Sequence, residues 1–152
     1  MIDNFLIYKT MNIRELNEID YNKGYLNLLN QLRNVETYSY EIFLHILLNI
    51  KNNKNHKIFV IENNNIICGT ITLLIENKFI YGGKSLGHIE DLVVHDEYRK
   101  SGLGTQLIDY CIDYAKQNNC KKVALCSRID AQKFYENKEF QTIGMYYAQY
   151  FE

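Results

Sequence analysis

The stretch "EYRKSGLGTQLI", residues 97 to 108, follows an apolar run, "HIEDLVVH" (88–95), and itself turns apolar at helical spacing. Gly102 and Gly104 free the backbone where a helix begins, next to Arg99 and Lys100. The first turn of a helix leaves N–H groups unpaired at the positive end of its dipole. A strand, a glycine loop and a helix in this order therefore suit a phosphate. A P-loop would need G-x-x-x-x-G-K-[ST], and no lysine follows the second glycine. A dinucleotide loop would need G-x-G-x-x-G, and Leu107 stands where its third glycine belongs. What remains is Arg99-x-x-Gly102-x-Gly104, opening a helix with Leu107, Ile108, Cys111, Ile112 and Ala115 on one face.

Upstream, "DYNKGYLNLLNQL" sets Tyr25, Leu28, Leu29 and Leu32 on one helical face. A second helix starts at Ser39, an N-cap type, in "SYEIFLHILLNI", with Ile42, Phe43, Ile46 and Leu47 as its buried face. "KNNKNHK" (51–57) reads as a solvated loop. "KIFVIE" and "IICGTITLLIE" read as an antiparallel hairpin, because "ENNNI" between them supplies asparagines that tolerate the left-handed conformation of a tight turn. Downstream of the glycine loop, "KKVALCS" reads as a buried strand, "DAQKFYENK" as a short helix and "FQTIGMYYAQYF" as a final aromatic strand. No repeat or low-complexity linker divides the chain. The order predicts one domain over 1–152, of α/β (α+β) class, with helices covering a sheet.

With 47% hydrophobic and 23% charged residues the chain has a globular, not a disordered, composition. Its net charge of -1 argues against a whole-surface electrostatic partner, so neither nucleic acid nor an anionic membrane is expected. The N-terminus lacks the charged region and apolar core of a secretory signal, and no apolar run nears the ~20 residues that span a bilayer. Cys68, Cys111, Cys120 and Cys126 form no C-x-x-C pair; they read as reduced core residues in a cytoplasmic protein, with no metal.

R-x-x-G-x-G after an apolar strand, opening an amphipathic helix, resembles the acetyl-CoA pyrophosphate loop of the GCN5-related N-acetyltransferase (GNAT) superfamily. "GHIEDLVV" and "KFYE" sharpen the likeness toward the eukaryotic-type glucosamine-6-phosphate N-acetyltransferases, and it runs from about residue 20 to the C-terminus. The resemblance implies a mixed, strongly twisted sheet with helices on both faces. It also implies acetyl transfer from acetyl-CoA to a primary amine, an amino sugar phosphate, in UDP-N-acetylglucosamine synthesis, and a homodimer formed through the C-terminal region.

Residue by residue, the resemblance assigns the CoA pyrophosphate to the loop of Arg99, Lys100, Ser101, Gly102, Leu103, Gly104 and Thr105. It lays the pantetheine arm along Leu92, Val93 and Val94, with the Leu92 N–H as oxyanion donor. An ammonium cannot attack a thioester, so a base must take its proton. Glu90 and Asp91 match the acidic pair at the acceptor, Glu90 orienting the amine and relaying its proton. Tyr135 matches the tyrosine beside the departing sulfur. Lys78, Phe79, Ile80 and Tyr81 match an acceptor-side segment K-F-I-H, with Tyr81 in place of histidine. His88 reads as a satisfied structural histidine, and Cys126 as a small buried one; the sharper alternative for Cys126 is a thiol that forms a mixed disulfide with CoA.

Four positions depart from the family pattern. Arg33 replaces a threonine, Arg128 an acid that contacts the amino sugar, Tyr150 an arginine that contacts the sugar phosphate, and Ala131 an asparagine that contacts CoA. Arg128 is expected to invert the local charge and disfavour a cationic acceptor, unless Arg33 and Arg128 hold an anionic group differently. Two alternatives stand beside the main reading: an acetyltransferase with a different amine acceptor, and a catalytically silent acyl-CoA-binding module.

Overall fold

The computed structural model describes residues 11–36 and 38–151. Five strands, β1 (Ile13–Glu15), β2 (His56–Asn63), β3 (Ile66–Glu76), β4 (Ser85–Val94) and β5 (Cys120–Leu125), form one sheet in the order β1-β2-β3-β4-β5. All neighbours are antiparallel except β4 and β5, which run parallel. A parallel pair needs a crossover, and helix α3 (Leu103–Gln117) supplies it. Helices α1 (Tyr25–Asn30) and α2 (Tyr40–Asn52) precede the hairpin, and α4 (Gln132–Glu136) follows β5.

Two cores form on the two sides of the sheet. Leu103, Leu107, Ile108, Cys111 and Ala115 of α3 pack on Phe59, Ile71, Leu73 and Ile89. Tyr25, Leu28, Phe43 and Leu47 of α1 and α2 pack on Ile58, Val60 and Val93. The expected mixed sheet with helices on both faces is therefore present. Burial pushes the thiols of Cys68 and Cys111 up to about 11 and about 12, so both remain protonated core groups at neutral pH. No helix among the described residues is long and apolar enough to cross a membrane.

The β2–β3 turn uses Asn64 and Asn65 at φ 48° and 64°, the left-handed pair expected from three asparagines. Glycine at position 87 has a packing reason instead. A Cβ there would stand 3.0 Å from a Val123 methyl and 3.2 Å from one of Leu73, beneath Ala115 of α3. Gly87→Val is expected to cost about 2 kcal/mol by overpacking, lowering Tm by roughly 4–8 °C in a thermal melt. An unchanged Tm would show that the α3–sheet contact yields freely.

Several expectations are corrected. Gly24, left-handed at φ 80°, splits the first helix into a 3-10 turn (Glu18–Lys23) and α1, which leaves Leu32 outside the helix and exposed. Of the predicted α2 face only Phe43 and Leu47 are buried; Ile42 and Ile46 face solvent, because the helix meets the sheet along one narrow i, i+4 stripe. The loop at 51–57 shrinks to 53–55, since α2 runs to Asn52 and β2 starts at His56. Strand β5 is only half-buried: it is the sheet's edge. Residues 140–151 form no strand: all but Phe140 lie exposed, and among the described residues none pairs with the outer edge of β5.

Candidate active site

Strand β4 positions most of the candidate residues, and it is irregular at their centre. Thr72 pairs with Glu90 and Thr70 with Val93, so Ile71 alone faces two residues, Asp91 and Leu92. This is a β-bulge, and Asp91 takes φ 50° to make it. The bulge resets the side-chain alternation. Ile89, Leu92 and Val94 pack toward α3, whereas Val93 joins the core under α1 and α2. Glu90, one residue from Ile89, points to the α1 side. Asp91, at the bulge itself, lies near enough to Tyr25 and His56 on that side for its charge to act on both. Two adjacent carboxylates thus share one face, which strict alternation forbids.

On its other edge β4 loses its partner at the same place. The parallel ladder ends with Ile89 opposite Leu125, so residues 90 to 94 carry an open backbone edge facing the end of β5. Glu90 is exposed in the single chain. Partial burial of its carboxyl and the neighbouring Asp91 charge raise its pKa, and His88 opposes them.

Beyond β4, a 3-10 turn (Asp96–Tyr98) leads into the glycine loop. Lys100 at φ 62° and Gly102 at φ 88° curl the main chain left-handedly just ahead of α3. Loops of this shape make concave rows of N–H groups that take anions. Gly102 is the N-cap of α3 and offers no side-chain cap, which leaves the helix dipole's positive end to a ligand. These features fit a pyrophosphate. Arg99 donates from Nε to the Val94 carbonyl at 3.2 Å, and the Ser101 hydroxyl donates to the Tyr98 carbonyl. Both bonds hold the loop to the end of β4. Leu103 is buried and anchors the helix start.

The short helix α4 reaches the same corner. A Cβ at Gly104 would lie 3.5 Å from the Phe134 ring, so α4 rests on the first turn of α3. Tyr135 follows, half-buried between the Phe134 and Phe140 rings at 5.0 and 5.8 Å, and burial raises its phenol pKa. The glycine loop, the β4 bulge and Tyr135 therefore converge at the split between β4 and β5.

The acceptor-side candidates are more scattered. Phe79 and Ile80 stand in solvent on the β3–β4 loop, and Tyr81, at φ 61°, lies beneath Lys122. Lys78 pairs with Glu76. Arg33 is exposed beyond α1, and Tyr150 is exposed in the C-terminal tail. Arg128 forks onto Asp130 at 3.1 and 2.9 Å, and each group holds the other in its charged form. Cys126, expected buried, is exposed one residue past β5. Among the described residues no group of three or more His, Cys, Asp or Glu could hold a metal. A shallow polar depression between α3 and residues 137–139, lined by Asp109, Asp113, Lys116 and Lys138, contains none of the candidates.

Two features escape the sequence reading. The bulge has no signal in "EDLVV". Glu76, the last residue of β3, holds His88 at 2.9 Å and is no candidate in the sequence. Its only hint was a register that brings two strand residues together.

Residues 14–140 match the family model described as the acetyltransferase (GNAT) family. The chain belongs to this family. Over 95% of its length it is 31% identical to the glucosamine 6-phosphate N-acetyltransferase of Arabidopsis thaliana, covering 99% of that protein. It is 34% identical to a Drosophila melanogaster protein named as a probable glucosamine 6-phosphate N-acetyltransferase, and it spans 62% of that relative's length. The crystal structure of the Arabidopsis enzyme superposes with a TM-score of 0.90, covering 95% of this chain and 100% of the other. The family uses acetyl-CoA as its acetyl donor, which agrees with the loop geometry of this GNAT chain.

Proposed function

We propose that this GNAT domain transfers acetyl from acetyl-CoA to the amino group of glucosamine 6-phosphate, a step toward UDP-N-acetylglucosamine, in the cytoplasm. The observation that carries the chemistry is the bulge at Asp91 and Leu92, placed where β5 leaves β4 and beside the uncapped start of α3. The named relatives support the choice of acceptor. The loop from Arg99 to Thr105 binds the pyrophosphate, and the open edge of Leu92 to Val94 pairs with the pantetheine amide groups. The Leu92 N–H meets the thioester oxygen as it becomes an oxyanion.

Glu90 takes the proton from the acceptor ammonium, and Asp91 holds the cation beside it. Tyr135 hydrogen-bonds the departing thiolate. Tyr135→Phe is expected to lower kcat about 10-fold with little change in KM for acetyl-CoA, because only the developing charge needs the hydroxyl. A larger rise in KM than fall in kcat would make the tyrosine a binding group instead.

A thiol-release assay across glucosamine 6-phosphate, glucosamine, polyamines and a lysine peptide tests the acceptor. Release is expected with glucosamine 6-phosphate. Release only with non-sugar amines would refute the acceptor, and none at all despite CoA binding would favour the silent module.

The protein functions as a homodimer in this reading. Ile143, Met145, Tyr146, Tyr147, Tyr150 and Phe151 are 73–86% exposed in one chain, and the outer edge of β5 is unpaired among the described residues. A second copy would cover both. Removing residues 141–152 is expected to leave a monomer with little activity in sedimentation and turnover assays. A monomeric parent protein at micromolar concentration would sink the dimer.

A further inference from the structure

His88 and Glu90 lie two residues apart on β4, ahead of the bulge, and so on one face of the strand. Gly87 and Ile89, between and beside them, face α3. On the His88 side, Leu74 of β3 and Ala124 of β5 stand opposite the imidazole, and neither offers a polar group. The charged and titratable groups around it are Glu76 and Lys78 on the β3 side, His56 of β2 beyond Leu74, Glu90 and then Asp91 on its own strand, and Lys122, two residues before Ala124 on β5.

His88 Nε2 meets the Glu76 carboxylate at 2.9 Å. Lys78 first, then His88, hold that carboxyl below its usual range, so Glu76 is ionised and can only accept. Nε2 therefore carries a proton, and in the neutral ring the lone pair belongs to Nδ1. No described residue hydrogen-bonds Nδ1. A carboxylate that fixes one ring nitrogen as donor leaves the other as a base of defined position.

We propose that the Glu76–His88 pair is the second proton carrier of this site, clearing from Glu90 the proton that the acceptor amine gives up. One N–H bond of the ammonium breaks as an O–H bond forms on Glu90. That O–H then breaks, directly or across one water, as an N–H bond forms at His88 Nδ1. The imidazolium releases the proton to solvent. No electrons change hands beyond the lone pair that the amine turns on the thioester. Glu90 thereby returns to its carboxylate beside Asp91, where a retained proton would stall the next turnover. Glu76 acts through His88 and is a positioning residue.

The inference rests on Glu90 as the base, and the test separates the two. Steady-state rates are measured for the full chain and for Glu90→Gln, His88→Ala, His88→Gln and Glu76→Gln, reading the N-acetylated sugar phosphate because imidazole can itself take acetyl. Both His88 variants are expected to lose about 10–100-fold in kcat with unchanged acetyl-CoA binding, and excess imidazole to restore His88→Ala several-fold. Glu76→Gln should lose less and shift the pH profile, since His88 keeps its ring but loses its anchor. Gln at position 88 can still donate to Glu76 but cannot carry a proton. Near-parental turnover of His88→Gln, or no imidazole recovery in a folded His88→Ala, would overturn the relay. Near-parental turnover of Glu90→Gln would overturn the base reading itself.

Discussion

Glu90→Gln is expected to lower kcat by about 10²- to 10⁴-fold while KM for acetyl-CoA stays near the parental value. The amide keeps the shape and a hydrogen bond to the acceptor but cannot take its proton. The same substitution is expected to stabilise the fold at neutral pH. The Glu90 pKa is raised by partial burial and by Asp91, against His88. A carboxyl whose folded pKa lies above its unfolded value favours the fold most below the unfolded value, and that contribution is lost as pH rises through the folded one. Above that window Glu90 carries a charge next to Asp91, and glutamine removes it. The Tm of Glu90→Gln should thus exceed the parental Tm at pH 7 and converge with it in acid. A variant that is both slower and less stable at pH 7 would mean that Glu90 supports structure, not proton transfer.

The largest loss of stability is expected from Asp20→Asn. Asp20 is fully buried, yet it accepts Arg14 NH1 at 2.8 Å, Arg14 NH2 at 2.7 Å and the Asn17 N–H at 2.9 Å. Arg14 also reaches Glu62, which binds Lys23 at 2.8 Å. The network ties β1, the 3-10 turn and β2 into one unit under the α1 core. Asp20, foremost, raises the Arg14 pKa further, so the guanidinium stays charged when its partner is neutralised. Breaking one half of a buried ion pair costs about 3–5 kcal/mol, and the Arg14 side chain, 26% exposed, puts this loss at the low end of that range. For a domain of this size that is roughly a 10 °C fall in Tm. Glu62→Gln should cost much less, since its side chain is 27% exposed and water can replace what it gives. A shift under about 2 °C for Asp20→Asn would show that the network relaxes around the loss.

These two residues mark different depths of reading. Glu90 was visible in "GHIEDLVV" as one of an acidic pair, although the sequence could not show that both acids share a face. Nothing in "NEIDYNK" distinguishes Asp20 from a solvated acid. Its role depends on Arg14 and on Glu62, 42 positions beyond it along the chain, and such contacts have no local signal. The helix of the glycine loop was legible because its apolar spacing and its flexible start act within a few residues. Residues 140–151 misled for the opposite reason. Aromatic, β-branched composition gives a propensity for strand, but propensity alone does not pair these residues with the open edge of β5.

Local patterning suffices for the β2–β3 hairpin, for the helix of the glycine loop and for the donor that loop suits. Helical and strand periodicity, the paired asparagines at the β2–β3 turn and the Arg99-x-x-Gly102-x-Gly104 spacing are local properties, written in adjacent residues. The working geometry comes from how the strands pack against one another. That packing sets the bulge that turns Glu90 and Asp91 to one side, the end of the β4–β5 ladder that opens the edge of Leu92, and the pairing of Glu76 with His88. Each of these depends on the register of one strand against another, and register is fixed by packing across the whole sheet.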